Sequence, residues 1–114
     1  MSFLLTLSCR STNRTCIDAC TDCVQACEAC AQDCLGDPGM ADCARLCLDC
    51  ATICQACTTL LARGSAFAGR LCQLAAGICD ACAAECAKFD SAACQACAAA
   101  CRACAQQCRA MATA

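Results

Sequence analysis

The chain has 114 residues, with 8 basic against 10 acidic side chains for a formal charge of −2; 21 residues are cysteine and none is His, Trp or Tyr. That length suits one small domain with a single core, and scattered charge with almost no aromatic content excludes a nucleic-acid surface. Such cysteine density in a short chain points to a disulfide scaffold or a metal protein.

The N-terminus, MSFLLTLSCRSTNR, opens with an apolar run from Phe3 to Leu7. It is far shorter than a membrane span, and no basic residue precedes Arg10, so the n-region of a signal peptide is missing. LTLSC faintly resembles a lipoprotein cleavage site, but the run before it is too short. The expected compartment is the cytoplasm, where thiols stay reduced, with no membrane association. Residues 1–11 are read as an N-terminal extension to a single domain spanning 1–114.

The first helix is predicted over about 12–35. It carries Cys16, Cys20, Cys23, Cys27, Cys30 and Cys34 at steps of 4, 3, 4, 3 and 4. The mean step of 3.5 residues is the period of a coiled-coil seam, whereas a strand returns to one face every second residue. Ala, Gln, Glu, Leu and Arg, which fill the spaces, are good helix formers. Gly36-Asp37-Pro38-Gly39 then breaks the chain; Asp37 can cap and Pro38 suits a first helical position.

The second helix, about 38–62, carries Cys43, Cys47, Cys50, Cys54 and Cys57, again at 4, 3, 4 and 3. Gly64-Ser65 ends it, with Ser65 as the expected cap of a third helix over about 65–88, bearing Cys72, Cys79, Cys82 and Cys86. Lys88 to Ser91 turns the chain, with Asp90 or Ser91 capping. The fourth helix, about 91–112, carries Cys94, Cys97, Cys101, Cys104 and Cys108. One thiol-faced helix is thus repeated. Short turns imply antiparallel neighbours, so the predicted fold is all-α: an up-down-up-down four-helix bundle with a cysteine-lined core. Twenty cysteines lie on the seams. Cys9, one heptad before Cys16, joins only if the first helix begins early, and Asn13 would then point inward.

Packing alone accounts poorly for twenty buried thiols, because Leu, Ala and Val pack better and resist oxidation, although one free cysteine is an ordinary small hydrophobe. Disulfides within one helix are disfavoured: Cβ atoms at i and i+4 lie about 5–6 Å apart, against the ~3.5–4.5 Å a bridge requires. The odd cysteine count argues the same way. Metal fits better, since a two-coordinate ion holds sulfurs about 4–5 Å apart if its bonds resemble the ~2.3 Å of a zinc thiolate. All-sulfur ligation selects Cu(I), zinc or iron–sulfur clusters.

Charge discriminates among these. Zn²⁺ on four unshared thiolates leaves a dianion at every site, which is costly in a dry core. Cu⁺ with bridging thiolates at about one ion per sulfur is neutral. A long all-thiol core therefore favours Cu(I), many ions per chain, and the seam offers no discrete grouping of four for iron–sulfur clusters. Met40 and Met111 fall in seam phase, three residues before Cys43 and three after Cys108, at opposite ends of the bundle. Either is a soft thioether ligand or a flexible core plug. Leu61, Ala68 and Ala75 fall on the seam towards Met111, so that end should be closed. Ions are expected to reach the core at the other end, past Cys34, Cys43, Cys86 and Cys94, with Met40 as an additional ligand.

The CxxxC and CxxC steps on four helices, ending in CQACAAACRACAQQCRAM, resemble the bacterial Csp-type copper storage proteins, and their cytosolic branch in particular. The likeness covers about residues 12–112. It implies a four-helix bundle, often a tetramer, that fills its core with Cu(I) through the inward cysteines from Cys16 to Cys108, and it implies no enzyme. Cytosolic relatives often carry histidines near the turns at one mouth; the corresponding turns here, LGDPGMAD and AKFDSAAC, have none, and Met40 is the nearest soft substitute. Expected partners are copper ions, a copper chaperone or chelator, and further copies of the chain. The competing readings are a zinc or mixed-metal buffer similar in role to a metallothionein, and an iron–sulfur or redox module.

Overall fold

The computed structural model describes the backbone of residues 3–112 and the side chains of residues 13–112. Four helices account for almost all of it: α1 (Phe3–Asp33), α2 (Ala41–Arg63), α3 (Ala68–Cys86) and α4 (Ala92–Ala112), with one turn of 3₁₀ helix at Pro38–Met40. No strand occurs among the described residues. The connections are short, so consecutive helices run antiparallel. The helices form a ring: α1 packs on α2 and α4, and α3 packs on α2 and α4, while no backbone contact spans either diagonal among the described residues.

Local chemistry sets the turns. Asp37 Oδ1 accepts a hydrogen bond from the Gly39 N–H at 2.9 Å, and Pro38 opens the 3₁₀ turn. This turn delays α2, which starts at Ala41 and not at 38 as the spacing suggests. Gly64 ends α2 in the left-handed conformation with φ 66°, and its N–H reaches the carbonyls of Leu60 and Leu61. That conformation is strained for any residue with a Cβ. Ser91 Oγ accepts from the Cys94 N–H at 3.1 Å, so Ser91 is the cap of α4.

Two predicted starts are corrected. Residues 3–11 are not an extension, since α1 runs from Phe3; the segment contains neither Gly nor Pro to break a helix that continues through Asn13. Ser65 does not cap α3. Its Oγ accepts from the Phe67 N–H at 3.1 Å and so closes a separate turn, and α3 begins three residues later at Ala68. The helix also stops at Cys86, two residues short of the expected 88.

The core is made almost entirely of cysteine and alanine. Every seam cysteine from Cys16 to Cys108 is buried, the most exposed being Cys34 at 3 %, and no polar or charged side chain is buried among the described residues. Such small side chains let the helices approach closely. Cys9 belongs to the predicted seam question, but its side chain lies outside the described residues.

Candidate metal centre

The 4-3 spacing delivers one thiol from each helix to successive levels of the core. Cys30, Cys43, Cys86 and Cys94 lie at one end. Below them come Cys27, Cys47, Cys82 and Cys97, then Cys23, Cys50, Cys79 and Cys101. Cys20, Cys54 and Cys104 follow at a level where α3 contributes only alanine, Ala75 or Ala76. Cys16, Cys57, Cys72 and Cys108 close the far end. Cys34 stands beside Cys30, Cys43 and Cys94 at the first end, and all twenty of these cysteines are free thiols.

Their sulfurs touch. Cys43 Sγ lies 3.4 Å from Cys86 Sγ, and Cys50 Sγ lies 3.5 Å from Cys79 Sγ. The two diagonals are spanned as well: Cys30 and Cys86, on α1 and α3, are 3.9 Å apart, and Cys47 and Cys97, on α2 and α4, are 3.7 Å apart. Sulfur therefore meets sulfur where the backbones do not. Contacts also connect the levels, as between Cys47 and Cys86 at 3.6 Å and between Cys54 and Cys79 at 3.7 Å. The result is a continuous column of sulfur along the axis of a molecule 53 × 21 × 18 Å in extent.

Groups able to hold an ion recur along this column. Cys30, Cys34, Cys43 and Cys94 have all four sulfurs within 4.8 Å of one another, as do Cys27, Cys47, Cys82 and Cys97, and so do Cys23, Cys50, Cys54 and Cys79. Cys23 and Cys50 also belong to a set with Cys27 and Cys101. Neighbouring sets share members, so ions filling them would be bridged by common thiolates.

Burial and contact with neighbouring thiols push Cys34, Cys30 and Cys16 towards the protonated form. Burial, and then hydrogen bonding to Cys43, pushes the Cys34 thiol up to about 12. Burial, and then hydrogen bonding to Cys94, pushes Cys30 upward too. At Cys16 the leading cause is hydrogen bonding with Cys108 and Cys20, followed by Cys72 and burial. With no cation buried nearby, a bare thiolate here would lack any compensating charge. A metal can enter only by displacing protons.

The two ends differ. Towards Cys16, Leu61 is 2 % exposed, and Ala68 and Ala75 are buried beside it. The half-buried Asn13 donates from Nδ2 to the Leu61 carbonyl at 3.2 Å and pins α1 to the end of α2. Asn13 therefore does occupy the inward position, and this contact was not legible in the seam pattern. Met111 is half-buried against the same end of the core. A cleft of about 480 Å³ there is walled by Asn13, Arg14, Ile17, Leu61 and Ala62, without sulfur. At the opposite end a cleft of about 390 Å³ has Cys34 in its wall, with Asp37, Pro38 and Ala41 beside it. Met40 is half-buried against the core from the 3₁₀ turn, and Phe89 packs on the core at the same end from the α3–α4 turn. None of the described helices is long and apolar enough to cross a membrane.

Comparison with known proteins agrees with this geometry. The family model for copper storage proteins matches residues 9–113. The apo form of copper storage protein 3 from Bacillus subtilis superposes with a TM-score of 0.83 at 45 % identity, covering 87 % of this chain and 97 % of that one. A cytosolic copper storage protein from Streptomyces lividans, in a form with five coppers, gives a TM-score of 0.86 at 36 % identity, covering 94 % of this chain and 97 % of its own. A form of the Streptomyces protein loaded with 10 copper equivalents gives 0.83 at 37 % identity over 90 % and 85 % of the two chains. Among curated proteins none matches the chain. Four thiol-faced helices closing on a column of free sulfur, together with a family match over nearly the whole length, place this chain in the copper storage protein family.

Proposed function

We propose that the protein stores or buffers Cu(I) in the cytoplasm, holding many ions on the seam cysteines from Cys16 to Cys108 and releasing them to copper-requiring proteins or sequestering them from harm. The observation that carries this reading is the column of twenty free, buried thiols, most of them in sulfur–sulfur contact with another. Nothing in that column resembles a reacting centre, and sequestration with no catalytic step is the function it supports. The apo form of the Bacillus relative has the same bundle, which agrees with a core that packs as neutral thiols and is then filled. A second solved structure of a copper storage protein 3, which covers 89 % of this chain at 43 % identity, is described as Cu(I)-bound.

Competition against zinc tests the choice of ion. Under anaerobic conditions, excess Zn²⁺ should leave the bound copper in place, because tetrathiolate zinc buries a dianion where bridged Cu⁺ is neutral. Loss of copper to zinc, followed by elemental analysis, would overturn the reading in favour of a zinc or mixed-metal buffer. A brown protein as isolated would instead support an iron–sulfur module; Cu(I) thiolates are colourless in visible light.

Ions are proposed to reach the core at the Cys34 end, with Met40 as a ligand on the way. The cleft walled by Cys34, the half-buried thioether of Met40 and the Leu61 plug at the far end support this direction. Met40→Leu should slow Cu(I) uptake from a competing chelator several-fold while leaving the final ion count unchanged. Wild-type kinetics in that variant would remove Met40 from the route. A tetramer and delivery by a copper chaperone are further parts of this proposal; sedimentation and copper-transfer measurements address them.

A further inference from the structure

The same column carries a second kind of chemistry. Many of its thiols form complete triangles with every edge near van der Waals contact. Cys30, Cys43 and Cys86, from three different helices, are separated by 3.9, 3.9 and 3.4 Å. Cys23, Cys27 and Cys101 are separated by 3.9, 3.7 and 3.8 Å, and Cys20, Cys104 and Cys108 by 3.6, 3.9 and 3.8 Å. A pyramidal centre with bonds close to the ~2.3 Å of a zinc thiolate holds three sulfurs roughly 3.5–3.8 Å apart. The core is lined by cysteine, alanine and Leu61 and contains no buried cation or carboxylate among the described residues, so it favours a guest that leaves no net charge behind.

We infer that the apo bundle also captures trivalent arsenic, supplied as neutral arsenous acid, on three-thiol sites, and that Cys30, Cys43 and Cys86 form the first of these to fill. Three As–O bonds break and three As–S bonds form. Each hydroxyl leaves with one thiol proton as water, so three waters depart, arsenic stays trivalent and nothing is oxidised or reduced. The product, As(S-Cys)₃, is neutral. Cu(I) must expel thiol protons into solution as it enters, whereas arsenous acid carries them away itself as water, and no carboxylate is buried among the described residues to receive them. The Cys30–Cys43–Cys86 triangle is the outermost of the three. It is nearest the Cys34-walled cleft, and its shortest edge, 3.4 Å, is the tightest sulfur pair described. The inference uses the same free-thiol core as the storage proposal and does not require that copper be the physiological cargo.

The test is native mass spectrometry of the reduced, metal-free full chain, mixed anaerobically with sodium arsenite alone. One equivalent should add one arsenic and remove three hydrogens, with three thiols lost to titration and near-ultraviolet arsenic–thiolate absorption appearing. No adduct, or one that removes fewer hydrogens, overturns the proposal. Cys86→Ala and Cys43→Ala, each checked for helicity by circular dichroism, should take up the first equivalent at least tenfold more slowly. Wild-type rates in the folded variants overturn the assignment to this triangle. A parallel Cu(I) titration separates the two proposals: an arsenic adduct without copper uptake sinks the storage reading alone, and copper uptake without an adduct sinks this one alone.

Discussion

Anaerobic titration of the reduced protein with Cu(I) should bind about 15–21 ions per chain before free Cu(I) appears, a range set by the neutrality of bridged Cu⁺ thiolates in a dry core. The lower bound corresponds to sulfurs at the ends contributing incompletely; the upper to every cysteine in the sequence taking one ion. Fewer ions would leave thiols of the column protonated and unused, and many more would leave cations without ligands. The shared membership of neighbouring thiol sets makes bridging the natural mode, since Cys23, Cys27 and Cys47 each stand close to sulfurs of more than one level. Circular dichroism before and after loading should show little change in helicity, in contrast with zinc fingers, whose binding energy is folding energy. Saturation at one to four ions, or a large gain in helix on loading, would contradict the preformed column.

Alkaline pH should unfold the empty protein and spare the loaded one. Cys34 is pushed up to about 12 in the fold, chiefly by burial, whereas an unfolded thiol ionises near ~8.5. A group whose folded value is raised contributes stability that is fully present below the unfolded value and is lost as pH climbs towards the folded one. For Cys34 that window runs from roughly 8.5 to about 12. Each thiol still protonated in the fold loses about 1.4 kcal/mol per pH unit across its window. Several such thiols acting together exceed the ~5–15 kcal/mol that holds a typical domain. The urea midpoint of the apoprotein should therefore fall steeply between about pH 8 and about pH 10, whereas Cu(I)-loaded protein, with its thiols already deprotonated and neutralised, should hold its midpoint. An apoprotein midpoint that does not move would show that the core thiols already ionise in the fold.

The seam was readable because two periods coincide. Cysteine recurs every 3.5 residues, which a helix converts into one face, and Gly36, Pro38 and Gly64 punctuate the chain at positions no helix tolerates well. From those residues the ring of four helices and the inward sulfur follow. Helix starts were less legible. Nothing between Phe3 and Arg14 breaks a helix, yet the short apolar run reads equally well as an extension, and its continuation into α1 emerges only in the folded chain. Ser65 carries the right chemistry for a cap but uses it on Phe67, in a turn whose Ala68 N–H donates to the Ser65 carbonyl at 3.1 Å before α3 begins. The link from Asn13 to the Leu61 carbonyl spans 48 positions, a separation at which local patterning carries no signal. The sulfur contacts across both diagonals are likewise a property of how closely cysteine and alanine let the helices approach, and not of spacing along any one of them.

If ions enter at the Cys34 end as proposed, the buried Leu61 and the Asn13 bond make the far end of the column its floor. A vessel with one opening empties in the reverse of the order in which it was filled. Copper lodged beside Cys16, Cys57, Cys72 and Cys108 would then be a long-term reserve, and copper near Cys34 and Cys43 the daily currency of exchange. A single small chain could in this way serve both a slow and a fast demand without any moving part.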